Sequence, residues 1–390
     1  MTYSEKGEPK EMKTVERVKL TELCELNMGQ SPDSKSYNVV GKGLPFYQGN
    51  ADFGTLHPSP RVWCALPQKT ARKDDVLLSV RAPVGAVNIA TETCCIGRGL
   101  AALKARPERS CPLFLYYAMT AKARELVEKS TGSTFKAVNR KVLEELEIPV
   151  YSLVEQEQIV AKLQLTDRLI AAHKQQLLKL DELVKSQFVE MFGEPSQTSR
   201  WPSCQIGDIA DVCVGVVIKP TQYYANTGVP AFRSLNIGEM HVKDEDWVYF
   251  TDEGQEKNQK SIIRENDVLV VRSGAPGTAC VASKKYAGFN AVDIIIAHPD
   301  ETKINSIFLA AFTNMPHGKR QIQVKIGGAA QQHFNVGGYR SLQIILPPIE
   351  KQKAFADLFI HTDKSKFAIR QSLEQLNLLK SSLMQKYFAA

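Results

Sequence analysis

The sequence predicts a duplicated fold: two α/β (mixed α+β) modules joined by two long helices packed as an antiparallel coiled coil. Three observations carry this. First, GSTFKAVNRKVLEELEIPVYSLVEQEQI (Gly132 to Ile159) and GAAQQHFNVGGYRSLQIILPPIEKQKAF (Gly328 to Phe355) are one pattern written twice. At a constant offset Asn139 matches Asn335, Leu146 matches Leu342, Ile148 matches Ile344, Gln156 matches Gln352 and Asp167 matches Asp363. A repeat this long is a folded module used twice, unlike the short period of a solenoid. Second, the fronts of the halves agree with drifting offsets: VKLTELCEL with CQIGDIADV, LPFYQGN with VPAFRSLN, and DDVLLSVRAPVGAV with NDVLVVRSGAPGTAC. The framework is kept while the loops differ. Third, each half closes in a long amphipathic helix, the first with heptad apolar spacing.

Residues 1–14 read as a flexible N-terminal tail, without the apolar core of a secretory signal. Residues 15–151 form the first module. Its strand-like runs are Val76 to Val80, Ala86 to Ala90 and Leu100 to Leu103, separated by Gly and Pro turn signals. A helix over Phe114 to Lys129 follows, then a short helix from Arg140 and a strand from Leu146. Asn139 and Asn335 suit the caps of the helices after them. Residues 152–193 form the central helix, opened by a Ser152/Glu155 capping box and stopped by Gly193 and Pro195. Its seam is Ile159, Leu163, Thr166, Ile170, His173, Leu177, Leu180, Val184, Gln187 and Met191.

Residues 194–349 form the second module, with a helix from Ile307 that bends or restarts at Pro316. Residues 350–390 form the closing helix, with Phe355, Phe359, Phe367, Ile369, Leu373, Leu376, Leu379 and Leu383 as its apolar positions. Antiparallel pairing would return the chain beside its own start and set the two modules at opposite ends. The expected core includes Leu20, Leu23, Val76, Leu77, Leu78, Val268, Leu269 and Val270.

At 390 residues, 43% hydrophobic and 23% charged, the chain suits two folded modules. No stretch reaches the roughly 18 apolar residues of a membrane span. Eight cysteines show no metal spacing and read as reduced thiols of a cytoplasmic protein. The net charge of +7 permits a polyanionic partner without requiring one.

The ensemble of module, helical spacer, module and helical spacer resembles the specificity subunit of type I restriction–modification enzymes. The residues that carry the likeness are the Gly132 to Asn139 turn, Glu155-Gln156 and, in the second copy, Pro347, Pro348, Ile349 and Gln352. The first copy departs from the double-proline lead-in, with Val150, Tyr151 and Ser152 before Leu153. The resemblance implies two target-recognition domains, each reading half of a bipartite double-stranded DNA site. The helices would set the gap and dock two modification (methyltransferase) subunits. Two restriction subunits would complete a prokaryotic, cytoplasmic complex, with no membrane role. It implies no catalytic residue, cofactor or metal here; S-adenosylmethionine, ATP and Mg would belong to the partners.

The residues agree. The Pro347-Pro348 pair is preceded by Leu346, not the Asp or Asn of an amino-methyltransferase loop, and Gly318-Lys319 is followed by Arg320, not the Ser or Thr of a phosphate loop. A related assembly subunit without selective DNA binding and an autonomous nuclease are the alternatives.

A duplex-reading module needs cations for phosphates and polar side chains for base edges. In the first half these are Lys35, Lys42, Gln48, Asn50, Arg61 and Arg81, with a second cluster of Ser133, Thr134, Lys136, Asn139 and Arg140. In the second half they are Lys219, Arg233, Asn236, Arg272 and Ser273, then Lys319, Arg320, Lys325, Gln331, Gln332, His333 and Asn335. Tyr37, Tyr47, Tyr223, Tyr224 and His241 are candidates for packing on sugars or bases. For docking a modification subunit the candidates are Gln156, Lys162, Lys174, Gln352, Lys366 and Gln375.

Overall fold

The computed structural model describes residues 15–131, 136–193, 201–326 and 333–388. It divides into two units, residues 1–174 with 371–390, and residues 175–370. Each unit therefore holds one module, one end of the central helix (Leu153–Phe192) and one end of the distal helix (Ile349–Phe388).

In the first unit, an antiparallel sheet runs in the order Cys24–Met28, Leu100–Ala105, Val76–Ser79, Val87–Ile89. Val76 and Leu78 face the helices, while Leu77 faces a second sheet, so both faces are covered. That explains the unbroken apolar run, which a half-exposed strand would alternate. The second sheet has five short strands, with Leu44–Tyr47 parallel to Cys94–Ile96 at its heart. Arg17–Lys19 pairs with Glu147–Pro149 and closes the module beside the start of the central helix. The expected Phe114 to Lys129 helix is two, Pro112–Ala121 and Ala123–Glu128, broken at the buried Lys122.

The second unit repeats the plan. Its main sheet runs Ala210–Val214, Ile294–Pro299, Val268–Val271, Ala279–Val281, with Val268 and Val270 toward the helices and Leu269 and Val271 toward the other side. The partner sheet again holds a parallel pair, Val229–Phe232 with Asn290–Ala291, here at the sheet's edge. Ser203–Gln205 closes the module against Gln343–Ile345. The helix Ser306–Asn314 ends before Pro316 and restarts as Pro316–Ile326, as that proline predicts.

The central helix opens on the predicted box. Ser152 N donates to Glu155 Oε2 at 2.9 Å, and Glu155 N donates to Ser152 Oγ at 3.3 Å. It ends at Gly193 with φ +87°, the left-handed conformation that favours glycine. Within each unit the helix segments run antiparallel. In the first, His173 meets Ser372 (3.0 Å), Asp167 meets Lys380 (2.6 Å) and Lys162 meets Tyr387 (3.4 Å), one number rising as the other falls. In the second, Phe188 meets Phe355 (ring centroids 5.3 Å) and Asp181 meets Lys366 (2.5 Å).

The seam residues Ile159, Leu163 and Val184 are buried; Ile170, His173, Leu177, Leu180, Ile369, Leu373, Leu376 and Leu383 are half-buried. Phe367 and Leu379 depart from the expectation and are exposed, because the distal seam steps through 355, 359, 362, 366, 369, 373, 376, 380 and 383 and leaves them outside it.

Three residues expected to dock a partner are instead consumed by the fold. Gln156 is fully buried: its Oε1 accepts from Cys111 N (3.1 Å), and its Nε2 donates to Arg109 O (2.8 Å) and Tyr151 O (2.9 Å). Gln352 does the same with Asn305 N (2.9 Å), Lys303 O (3.2 Å) and Pro347 O (2.8 Å). Each staples the first turn of a long helix to the start of its module's own helix. Lys366 is buried in its ion pair with Asp181. Lys162, Lys174 and Gln375 remain exposed.

Replacing Gln156 or Gln352 by Leu leaves one N–H and two carbonyls without their partner. We expect each change to cost roughly 2–3 kcal/mol in urea unfolding; unchanged midpoints would refute the staple.

Candidate nucleic-acid interface

In the first module the hairpin between Val76–Ser79 and Val87–Ile89 is tightened by Ser79 N donating to Ala86 O (2.8 Å) and Gly85 N to Ser79 O (2.9 Å). Gly85 has φ +93°, and a Cβ there would lie 3.1 Å from the Ala123 Cβ, so the turn requires glycine. The tip is then fastened on two sides. Val138 N donates to Val80 O (2.8 Å) and Ala82 N to Lys136 O (3.0 Å), which joins it to the segment before the helix Arg140–Glu144. On the other side Val80 N donates to Gly99 O (2.9 Å). The backbone of Gln48 presses on the Gly97-Arg98-Gly99 loop, and a Cβ on Gly97 would lie 3.2 Å from the Gln48 Cα.

Backbone contacts thus chain Gln48, Arg98, Arg81 and Lys136 along one edge, and all four are exposed. The two first-half clusters expected from sequence meet at Arg81 and Lys136. Arg98 was missed; the signal for it was a lone Arg between two glycines.

The other candidates separate by role. Arg61 is exposed but held by Asp52, with Nε at 3.0 Å and Nη2 at 2.6 Å from Oδ1, while Asp52 Oδ2 accepts from Gln48 N (2.9 Å). Asn50 is half-buried just before it. Lys35 and Lys42 are exposed on the 33–43 loop, where the Asn38 side chain binds the Lys42 backbone in both directions (2.7 and 2.9 Å). Asn139 caps its helix by accepting from Val142 N (3.1 Å), and Arg140 pairs with Glu144 (2.7 Å). Tyr47 is buried and cannot stack on a nucleotide; Tyr37 packs on Phe46. Ser133 and Thr134 lie outside the described residues, as do Gln331 and Gln332.

The second module builds the same frame with other side chains. Gly277 (φ +80°) N donates to Val271 O, and Phe334 N donates to Arg272 O at 3.1 Å, where Val138 and Val80 stand in the first module. Ser273 Oγ lies 2.7 Å from His333 Nδ1, joining the hairpin tip to the segment before the helix Val336–Arg340. A Cβ on Gly277 would clash with Ile322, so the helix Pro316–Ile326 is seated on the turn. That helix presents exposed Arg320 and Lys325, and Lys319 with Nζ 3.4 Å from Thr278 Oγ1. Burial lowers the Lys319 pKa below the usual lysine value. Asn335 is a cap, accepting from Gly338 N (2.7 Å). Lys219 is exposed with φ +44°, and Tyr223 and Tyr224 are half-buried behind it.

Two second-half candidates are corrected. Asn236 is fully buried: Oδ1 accepts from Arg233 N (2.9 Å) and Nδ2 donates to Glu245 O (2.7 Å), the local job done by Asp52 in the first module. Arg272 is 15% exposed, with Nη1 2.5 Å from Asp293 Oδ1 and Nε donating to Phe334 O (3.0 Å). It holds the frame together. Arg233 is half-buried and gives its guanidinium to the Asp246 carbonyl.

The chain matches the type I restriction modification DNA specificity domain twice, over residues 12–182 and 198–378. It belongs to that family. It is 40% identical over 158 residues to a specificity subunit named for the MjaX type I restriction enzyme of Methanocaldococcus jannaschii, a match covering 40% of this chain and 37% of that one. The MjaVIII specificity subunit of the same organism is 22% identical over 298 residues, covering 70% of this chain and 68% of its own length. In fold, it is similar to the type I restriction–modification S subunit of M. genitalium, with TM-score 0.64, 14% identity and 97% and 98% of the two chains covered.

If Arg81 and Lys136 contact phosphates, Ala at either weakens duplex binding across sequences. It should also reduce the slope of log K against log salt by about 1 in magnitude. Arg272→Ala should instead cost roughly 1–3 kcal/mol of stability. Unchanged salt slopes in the Arg81 and Lys136 variants would remove them from the interface.

Proposed function

We propose that this chain is the non-catalytic, DNA-reading and assembly subunit of a type I restriction–modification complex. Each module reads one half of a bipartite duplex target. The helix pair sets the gap between the halves and docks two modification subunits. The carrying observation is the repeated frame: in both modules a main-sheet hairpin tip is bonded to the segment before a short helix, with basic side chains around it. Loops on a rigid frame are where sequence-reading side chains belong.

The helix faces support the assembly role. Leu165, Leu169, Leu178 and Leu183 on the central helix and Ile360, Phe367 and Leu378 on the distal one are exposed, outside the seam. Such apolar side chains on long helices suit a protein partner. The proposal places S-adenosylmethionine, ATP and Mg in the partner subunits, with two restriction subunits completing the endonuclease in the cytoplasm. No helix among the described residues is long and apolar enough to cross a membrane.

The test is to co-express the chain with its modification subunit and map adenine methylation across a DNA library. We expect a split motif: two defined parts and a fixed gap. A contiguous motif, or a stable active complex that methylates without preference, would contradict the proposal.

A further inference from the structure

Of the eight cysteines, Cys24, Cys64, Cys94, Cys95 and Cys280 are buried, and burial pushes the thiols of Cys24, Cys94, Cys95 and Cys280 up to about 12. Burial also raises the half-buried Cys111 and Cys204. Cys213, half-buried on the strand Ala210–Val214, has different neighbours. Its Sγ lies 3.2 Å from the Lys260 carbonyl and 3.7 Å from His298 Nε2. His298 Nδ1 in turn lies 2.5 Å from Asp267 Oδ1, and that aspartate is 2% exposed. The other Asp267 oxygen accepts from Arg264 N at 2.6 Å.

Hydrogen bonding to Asp267, then to Cys213, raises His298 to about 9. At neutral pH the ring is therefore an imidazolium, donating from Nδ1 to the carboxylate and from Nε2 to sulfur. An imidazolium beside the sulfur is placed to hand its Nε2 proton to a thiolate leaving from that sulfur. The other sheet lacks this device: the residue at the corresponding register, opposite Ala102 as Cys213 is opposite Ile296, is Asn27.

We propose that Cys213 is a site of reversible modification by low-molecular-weight disulfides, with His298 as proton donor to the leaving sulfur and Asp267 as the positioning residue behind it. The Cys213 proton leaves to solvent and its sulfur attacks one sulfur of the reagent. The reagent's S–S bond breaks and a Cys213 mixed disulfide forms. The departing thiolate takes the Nε2 proton, which solvent restores. Cys213 is oxidised and the reagent reduced by the same two electrons. The adduct displaces sulfur from the Lys260 carbonyl, a contact that holds the Gln259–Ser261 turn to the strand.

The experiment treats the full folded chain at pH 7 with oxidised glutathione and maps adducts by peptide mass over time. We expect Cys213 to react at least about tenfold faster than Cys111 and Cys204, and a reducing agent to reverse it. His298→Gln should slow Cys213 by about tenfold while leaving the Cys111 and Cys204 rates unchanged, which also reports that the variant is folded. If that variant does not fold, the wild-type ranking decides. Cys213 reacting no faster than the other two, or an unchanged Cys213 rate in folded His298→Gln, overturns the proposal.

Discussion

The structure depends on where the two long helices end. Phe192, the last residue of the central helix, packs on Phe308 in the second unit (ring centroids 4.8 Å). Phe388, the last of the distal helix, packs on Phe114 in the first (5.3 Å). Both terminal rings are nearly fully buried, and loss of such a ring costs about 3–5 kcal/mol. Each helix begins stapled to one module by Gln156 or Gln352 and ends in the core of the other. Neither module is complete in the stretch of sequence that encodes it. The antiparallel run of the helices follows, because each must begin in one unit and finish in the other.

The seam carries this constraint with few strong contacts. Asp167 accepts from the Tyr117 hydroxyl (2.8 Å) and pairs with Lys380, so one carboxylate ties the first module's helix to the distal helix. In the second unit Lys366 and Asp181 form the corresponding polar link across the seam. The same frame then holds unlike tips. Where the first module has Val80 and a free-standing loop arginine at Arg98, the second has Arg272 locked to Asp293. Duplication preserved the backbone bonds of the hairpin and let the side chains at its tip diverge.

Much of this was legible in sequence because its signals are local or periodic. Heptad spacing marked the central helix, the Ser152 box and Gly193 its ends, Pro347 and Pro348 the start of the distal helix, and Asn139 and Asn335 proved to be caps. The strands Val76–Ser79 and Val268–Val271 showed as apolar runs because both faces are buried. What escaped notice depends on distant partners. Gln156, Gln352, Asn236 and Arg272 are polar residues that read as surface, and their burial becomes visible only once the carbonyls and amides they satisfy are brought near. The secondary sheets, built of strands as short as Tyr37–Asn38 and Thr70–Ala71, carry too few residues for periodicity to speak.

The central claim is that each module is completed by the far end of the other module's helix. Hydrogen–deuterium exchange on Phe388→Ala tests it directly. The account predicts faster exchange in the first module, residues 18–163, with residues 204–345 unaffected, although Phe388 follows the second module in sequence. Faster exchange confined to 204–345 would contradict it.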